Sequence, residues 1–387
     1  MQSGSPDRLT SPLSRRRFLI GLGSAAAAAA FLAACSEDAG EATAGASGTV
    51  SRTGTSEAPA TSSAGSSGTS TAAGGAAATE AAAAFPVTLS HKFGTTEIAA
   101  EPGRVVSIGY SDHDAILAAG VTPVATRYWF GEEPGAVFPW AQAYLAGETP
   151  EVLQMAELDF EQIAALRPDV IIAVYSGITA EDYATLSQIA PVVAQSPDYI
   201  DYGMPWDEAA RLIASALGRS EQMAEVIAGI ESKYAAARAA HPDFAGKQLV
   251  LAAMRADGAV GVFAEQDQRM RFFTNLGFEL PAELDGLFGE SFYANISPEQ
   301  FHLLDSGDVV AWTQVVYAGR DAILENPVYG QLAVAKESRH VLIDGYADAA
   351  FSFNSVLSQG YALDAVVPAL AAAIDGDPAT NVEIPAA

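Results

Sequence analysis

Nine side chains in this sequence could together grip a rigid, bulky, anionic or oxygen-rich molecule: Tyr110, Arg127, Tyr128, Trp129, Tyr175, Trp206, Arg255, Trp312 and Tyr346. All but Trp206 stand at or just past the end of a short β-branched run, and Trp206 opens a helical stretch. Aromatic faces cover much area with few rotamers to freeze. Arginine offers a planar donor fork to carboxylate, catecholate or hydroxamate oxygens. In open α/β sheets, ligands settle beyond the carboxyl ends of the strands, which is where these residues fall. Ordinary core packing is the competing reading for each ring, and the sequence leaves that choice open.

Catalytic chemistry finds less support. There is no G-x-S-x-G, no P-loop and no H-E-x-x-H, and the chain has one cysteine. A nucleophile, a base and an orienter are all needed for an enzyme, so none is expected, and no catalytic residue is assigned. A hydrolase with a dispersed triad and a structural or adhesive surface protein are the remote alternatives. His91, His113, His241, His302 and His340 show no clustered spacing, so no metal site and no resident cofactor are expected. "SDHD" at 111–114 reads as a helix start, with Ser111 as cap and Asp114 closing a capping box. An acid–base or metal role for His113 between its two acids is the other reading, and under either one Asp112 or His113 stands at the cleft within reach of ligand.

The elements that would position these residues alternate. "RVVSIG" (104–109), "VTPVATR" (121–127), "DVIIAVY" (169–175) and "APVVAQ" (190–195) read as strands with helices between them, a pattern that predicts a parallel sheet covered on both faces. Residues 206–240 carry an apolar helical stripe, interrupted or bent near "LGRS" at 217–220. The pattern then restarts. "QLVLAAM" (248–254) answers "RVVSIG", "FFTNLGF" answers "ILAAGV", "DVVAWT" answers "DVIIAV", and "HVLIDG" answers "PVVAQS". "LDFEQIAALRPDVIIA" and "ISPEQFHLLDSGDVVA" are near copies, with Glu161 and Glu299 138 residues apart and Asp169 and Asp308 139 apart. So long a period predicts two similar lobes rather than a solenoid.

Each copy opens with a helix-start signal, Asp159 with Gln162 in one, Ser297 with Pro298 and Gln300 in the other. Glu161 and Glu299 then both fall at the second helical position. There a carboxylate offsets the helix dipole by about 0.3–1 kcal/mol.

The first 84 residues have a different texture. "SRRRFLI" at 14–20, the apolar stretch to residue 34 and "LAAC" at 32–35 form an export signal. Its arginines resemble a twin-arginine signal, and "LAAC" resembles a lipobox with lipid on Cys35. "GLGSAA" at 21–26 matches a dinucleotide fingerprint but lacks the preceding strand that motif needs. Residues 36–84 are rich in Ala, Gly, Ser and Thr without an aromatic, a composition that predicts a disordered tether reaching roughly 40 Å. The chain carries 20 bases against 47 acids, a net charge of −27, and loss of residues 1–34 leaves −30. So acidic a body is a poor partner for nucleic acid or bulk anionic lipid.

Taken together, "PGRVVSIGYSDHDAILAAGVTPVA", "LDFEQIAALRPDVIIA", "PWDEAARLIASALGR", "ISPEQFHLLDSGDVVAW" and "RHVLID" resemble the class III (cluster A) substrate-binding proteins of ABC importers. Within that class they are similar to the iron-siderophore binding lipoproteins of actinobacteria. The resemblance spans about residues 85–374. It implies two Rossmann-like α/β lobes with central parallel sheets, joined by a single long α-helix, and a ferric siderophore held between them by the nine aromatic and arginine residues. Haem or a corrinoid is the alternative ligand. It further implies that Glu161 and Glu299 dock into arginine pockets of an ABC permease dimer, and that the protein is an exported monomer, lipid-anchored to the outer face of the membrane. The expected organisation is signal 1–34, lipidated Cys35 and tether 35–84, N-terminal lobe 85–205, connector helix 206–240 and C-terminal lobe 241–387.

Overall fold

A run such as Val170–Ala173 has no polar face, so it is stable only when covered on both sides. In a computed structural model of the chain, which describes residues 85–380 and 384 apart from 155, 156 and 290, it is covered in that way. The export signal, Cys35 and the tether lie outside the described residues.

The N-terminal lobe begins with an antiparallel hairpin, β1 (Val87–His91) and β2 (Gly94–Ile98). Its main sheet holds β3 (Val105–Ser107), β4 (Ala125–Arg127), β5 (Glu151–Leu153), β6 (Val170–Ala173) and β7 (Val192–Ala194) in the order β5-β4-β3-β6-β7. Every pair in it is parallel. One face packs on Ile116, Ile213 and Leu217, the other on Ile163, Ile178 and Leu186.

The C-terminal lobe repeats this with a change. Its strands are β8 (Leu249–Met254), β9 (Val260–Phe263), β10 (Tyr293–Ile296), β11 (Val309–Thr313) and β12 (His340–Leu342), in the order β10-β9-β8-β11-β12. Strands β8, β11 and β12 are parallel and take the places of β3, β6 and β7. Strands β9 and β10 run antiparallel, because a tight turn after Met254 folds the chain straight back. This sheet is therefore mixed on one side, where the sequence pattern predicts a parallel one throughout.

The duplicated aspartates have a structural task. Asp169 Oδ2 accepts from the Gly103 and Arg104 amides, both at 2.9 Å, tying the entry of β3 to that of β6. Asp308 Oδ2 accepts from the Gln248 amide at 2.8 Å and does the same for β8 and β11.

The connector is the second of two helices. Trp206–Ala216 buries Ala210, Ile213, Ala214 and Ala216 in the N-terminal core and belongs to that lobe. It ends in a Schellman motif: Arg219 N–H reaches Ala214 O at 2.8 Å and Gly218 N–H reaches Ser215 O at 3.2 Å, with Gly218 at φ +68°. The strut proper is Ser220–Ala240, about 31 Å long at helical rise. It plants Met223 and Ile227 in the N-terminal core and Tyr234 in the C-terminal one, while most of its length stays exposed.

Candidate ligand-binding cleft

Loops at the carboxyl ends of β3, β4 and β6 bring four of the expected residues into one group. The Arg127 guanidinium lies over the Tyr110 ring at 4.5 Å. Trp129 packs on Tyr110 at 5.5 Å and on Tyr175 at 6.0 Å between ring centroids. The Tyr110 amide donates to the Tyr175 carbonyl at 2.9 Å, which locks the two loops together. Tyr202, which sequence reasoning missed, closes the group at 6.3 Å from Tyr110 and 5.1 Å from Tyr175.

The facing wall comes from the C-terminal lobe and is largely absent from the sequence-based expectation. Arg269, in the first turn of helix Gln268–Thr274, stacks over Phe263 at 4.2 Å. Its Nε and Nη2 grip both oxygens of Asp267 at 2.9 and 2.8 Å. Burial works against that charge, but Asp267 more than offsets it and holds the guanidinium protonated. Tyr293 packs against Phe263 at 5.0 Å. Tyr317, just past β11, lies within electrostatic reach of Arg269. Burial pushes the phenols of Tyr175, Tyr202, Tyr293 and Tyr317 up, so they stay neutral and can donate to ligand oxygens.

The remaining expected residues divide. Tyr346, in helix Gly345–Phe353, meets Phe138 at 6.2 Å on the side of the cleft where Trp129 packs on Phe353. Arg255 sits in the β8–β9 turn, half-exposed, 4.0 Å from Asp257, with its charge felt by Tyr293. Tyr128 is tied through its amide to Leu153 O at 2.7 Å, and no ring contact among the described residues joins it to the group. Trp206 lines a cavity of about 30 Å³ behind the rings, together with Asp112, Tyr175, Gln268 and Ser355. That space suits about one water, whereas a bulky ligand needs roughly 300 Å³ or more. Outside this cavity, Tyr202 and Tyr317 remain 38% and 43% exposed. Trp312 is a correction. It is fully buried in the C-terminal core, with its indole N–H on the Tyr329 hydroxyl at 3.1 Å, because β11 is the covered centre of its sheet.

"SDHD" is a second correction. The Ser111 side chain makes no cap hydrogen bond. Asp112 instead accepts from the Val174 and Tyr175 amides at 2.7 and 2.9 Å, fixing the loop that carries Tyr175. A Cβ on Gly109 would stand 1.9 Å from that carboxylate, so only glycine fits there. Asp114 Oδ2 accepts from Trp140 Nε1 at 2.8 Å and from the Ser355 hydroxyl of the other lobe. His113 is buried edge-on to Phe353 at 5.6 Å and held neutral by burial, its pKa lowered to about 4. Tertiary partners outcompete the local capping box. Across the lobes, Arg271 Nη1 also donates to Gly203 O at 2.7 Å and Gln268 Nε2 donates to Tyr202 O.

Burial raises Asp112 to about 7 and Asp114 and Asp348 to about 6. A carboxyl with a higher pKa folded than unfolded takes up protons on folding, so its ionisation costs stability. The melting temperature is expected to rise as pH falls from about 8 to about 6.5. Below that, His113, His91 and His340, all lowered by burial, release protons on folding and oppose the trend. Calorimetry across this range should show a maximum near pH 6; a steady fall from pH 8 downward would contradict it.

Glu161 and Glu299 are both exposed, at the second positions of Phe160–Ala165 and of the 3₁₀ helix Pro298–Ser306. Asp159 accepts from the Gln162 amide at 2.9 Å, but the Gln162 side chain turns to Glu151 rather than closing a box. The second copy does close it, with the Ser297 amide on Gln300 Oε1 at 3.0 Å. Its own amide and the Ser297 hydroxyl hold the Glu299 carboxyl below the usual range, so it is ionised.

Residues 105–347 match the periplasmic binding protein family, which is most of the two-lobed body. The chain belongs to that family. Its members bind solutes without converting them, in line with the expectation of no enzyme. A periplasmic solute binding protein of Mycobacterium smegmatis superposes with a TM-score of 0.67 at 34% identity, over 74% of this chain and 98% of that one. Streptococcus pneumoniae PiaA in complex with ferrichrome gives 0.65 at 28% identity, over 75% and 99%. The probable siderophore-binding lipoprotein YfiY of Bacillus subtilis is 32% identical over 153 residues, 38% of this chain and less than half (43%) of YfiY.

Proposed function

We propose that this binding protein captures a ferric siderophore in the cleft between its lobes and delivers it to an ABC permease for iron uptake. The observation that carries the reading is the ring group itself. Tyr110, Trp129, Tyr175 and Tyr202 face an arginine-bearing wall from the second lobe, in a fold whose relative PiaA was solved with ferrichrome. Neutral phenols and indole faces suit a bulky chelate with oxygen acceptors around its rim. Haem or a corrinoid fits less well. His91 lies in the β1–β2 hairpin, His113 in the core, His241 on Phe244, His302 on a surface carbonyl and His340 at the start of β12, so no histidine reaches the group.

In this reading the chain is exported, by the twin-arginine route, and held at the outer face of the membrane by lipid on Cys35. It works as a monomer. Glu161 and Glu299 are its docking points on the permease. Two exposed carboxylates on equivalent elements of two similar lobes suit a pair of symmetry-related basic pockets, engaged bivalently.

The test is a fluorescence titration. Ferric siderophores should quench the tryptophan emission saturably, by energy transfer to the chelate beside Trp129, with no turnover of the ligand. Flat titrations across hydroxamate, catecholate and carboxylate chelates would refute the assignment.

A further inference from the structure

We propose that the Asp267–Arg269 pair sets this cleft to select ferric chelates without net negative charge, the trihydroxamate class, over tris-catecholates and citrates; this deepens the siderophore reading and rests on it. The distinction is one of proton count. A hydroxamate binds iron after losing one proton, so a trihydroxamate cancels the ferric charge. A catechol loses two, and a tris-catecholate keeps a surplus of negative charge. A site for such an anion needs cationic groups with charge to spare.

The positive charges around this cleft are already balanced by acids. Arg269 spends its Nε and Nη2 on Asp267 and its face on Phe263. Arg127 covers Tyr110 and turns Nη1 toward the Ile108 and Ser176 carbonyls at 3.4 Å. Arg271 donates to Gly203 O across the lobes, and Arg255 stands 4.0 Å from Asp257. Carbonyls and a ring leave the Arg127 and Arg271 charges in place, and two acids offset them. Asp348 lies within electrostatic reach of Arg269 while accepting from Thr313 Oγ1 at 2.7 Å and the Gln314 amide at 2.9 Å, and Glu133 bonds the Tyr346 phenol. The chain around them carries −27. What remains on offer is aromatic area and neutral phenol donors, which suit the carbonyl and N–O oxygens of a neutral complex.

Asp267 is the lever, because it also caps helix Gln268–Thr274 by accepting from the Arg269 amide at 2.8 Å. Asparagine keeps that cap and the side-chain volume while removing the charge. The experiment titrates wild type and Asp267→Asn with ferrichrome, ferrioxamine B, ferric enterobactin and ferric dicitrate, followed by tryptophan fluorescence. Wild type should favour the two hydroxamates over the two anions by about 100-fold. Asp267→Asn should shift the anion-to-ferrichrome affinity ratio toward the anions on the order of tenfold, as expected for one uncompensated charge at an effective dielectric of roughly 20. Wild type binding enterobactin or dicitrate as tightly as ferrichrome would overturn the inference and leave the siderophore reading intact. So would an anion-to-ferrichrome ratio unmoved by the substitution. Flat titrations with all four would overturn both.

Discussion

Replacing Glu161 and Glu299 together by alanine is expected to abolish iron-siderophore uptake while leaving folding and ligand affinity unchanged. Both residues are exposed and lie at helix starts, so the folded state loses little when they are truncated. The docked state loses much more. A charge pair desolvated at an interface can couple by roughly 1.5–7 kcal/mol, where an exposed pair contributes under about 1. In the proposed docking both lobes engage together, so either single substitution weakens it and the pair removes the bivalent gain. Cells carrying the double variant should show uptake of iron-loaded siderophore down by about 100-fold or more, with fluorescence titrations of the purified protein unaltered. A double variant that transports normally would remove these carboxylates from the docking role.

The second large effect lies inside the cleft. Trp129 is the hub of the ring group, in contact with Tyr110, Phe130, Tyr175 and Phe353. Truncating a central aromatic anchor typically costs about 2–4 kcal/mol of binding, so Trp129→Ala should weaken siderophore affinity roughly 30- to 1,000-fold. Trp312→Phe is the control. It fills most of the same core volume but leaves the Tyr329 hydroxyl without its indole partner, so it should lower stability by about 1–3 kcal/mol and leave affinity within about twofold. Isothermal titration and chemical denaturation of both variants separate the two effects. Equal affinity losses for both would mean that the core position of Trp312 governs the cleft indirectly.

Much of the fold could be read from the chain because parallel strands in a two-layered cover are continuous apolar runs, and "DVIIAV" and "DVVAWT" stand out as such. The repeat was legible for the same reason, down to Asp169 and Asp308 tying the central strands of each sheet at their entry. What the pattern could not show was direction. A buried β-branched run looks alike whether it runs parallel or antiparallel, so the reversal at β9 was invisible, although the "DG" of its turn at 257–258 was a signal. Trp312 illustrates the matching limit at the site. In a strand buried on both faces, periodicity does not say which neighbour a ring meets.

The N-terminal half of the cleft was legible because its side chains stand directly after the strand ends, at Tyr110, Arg127, Trp129 and Tyr175. The C-terminal half escapes the same rule, since Arg269 and Tyr317 project from helical turns a few residues further on. The "SDHD" segment shows local capping chemistry displaced by stronger tertiary partners, amides of the β6 loop for Asp112 and a cross-lobe hydroxyl for Asp114. No spacing rule within the segment encodes those partners.

Anomalous diffraction at the iron absorption edge, on crystals grown with ferrichrome, tests the central claim most directly. A single iron peak is predicted between the lobes, bounded by Trp129 and Tyr175 on one side and Arg269 and Tyr317 on the other. A peak on an outer face of either lobe, or crystals that hold ordered protein and no iron at saturating chelate, would contradict the account.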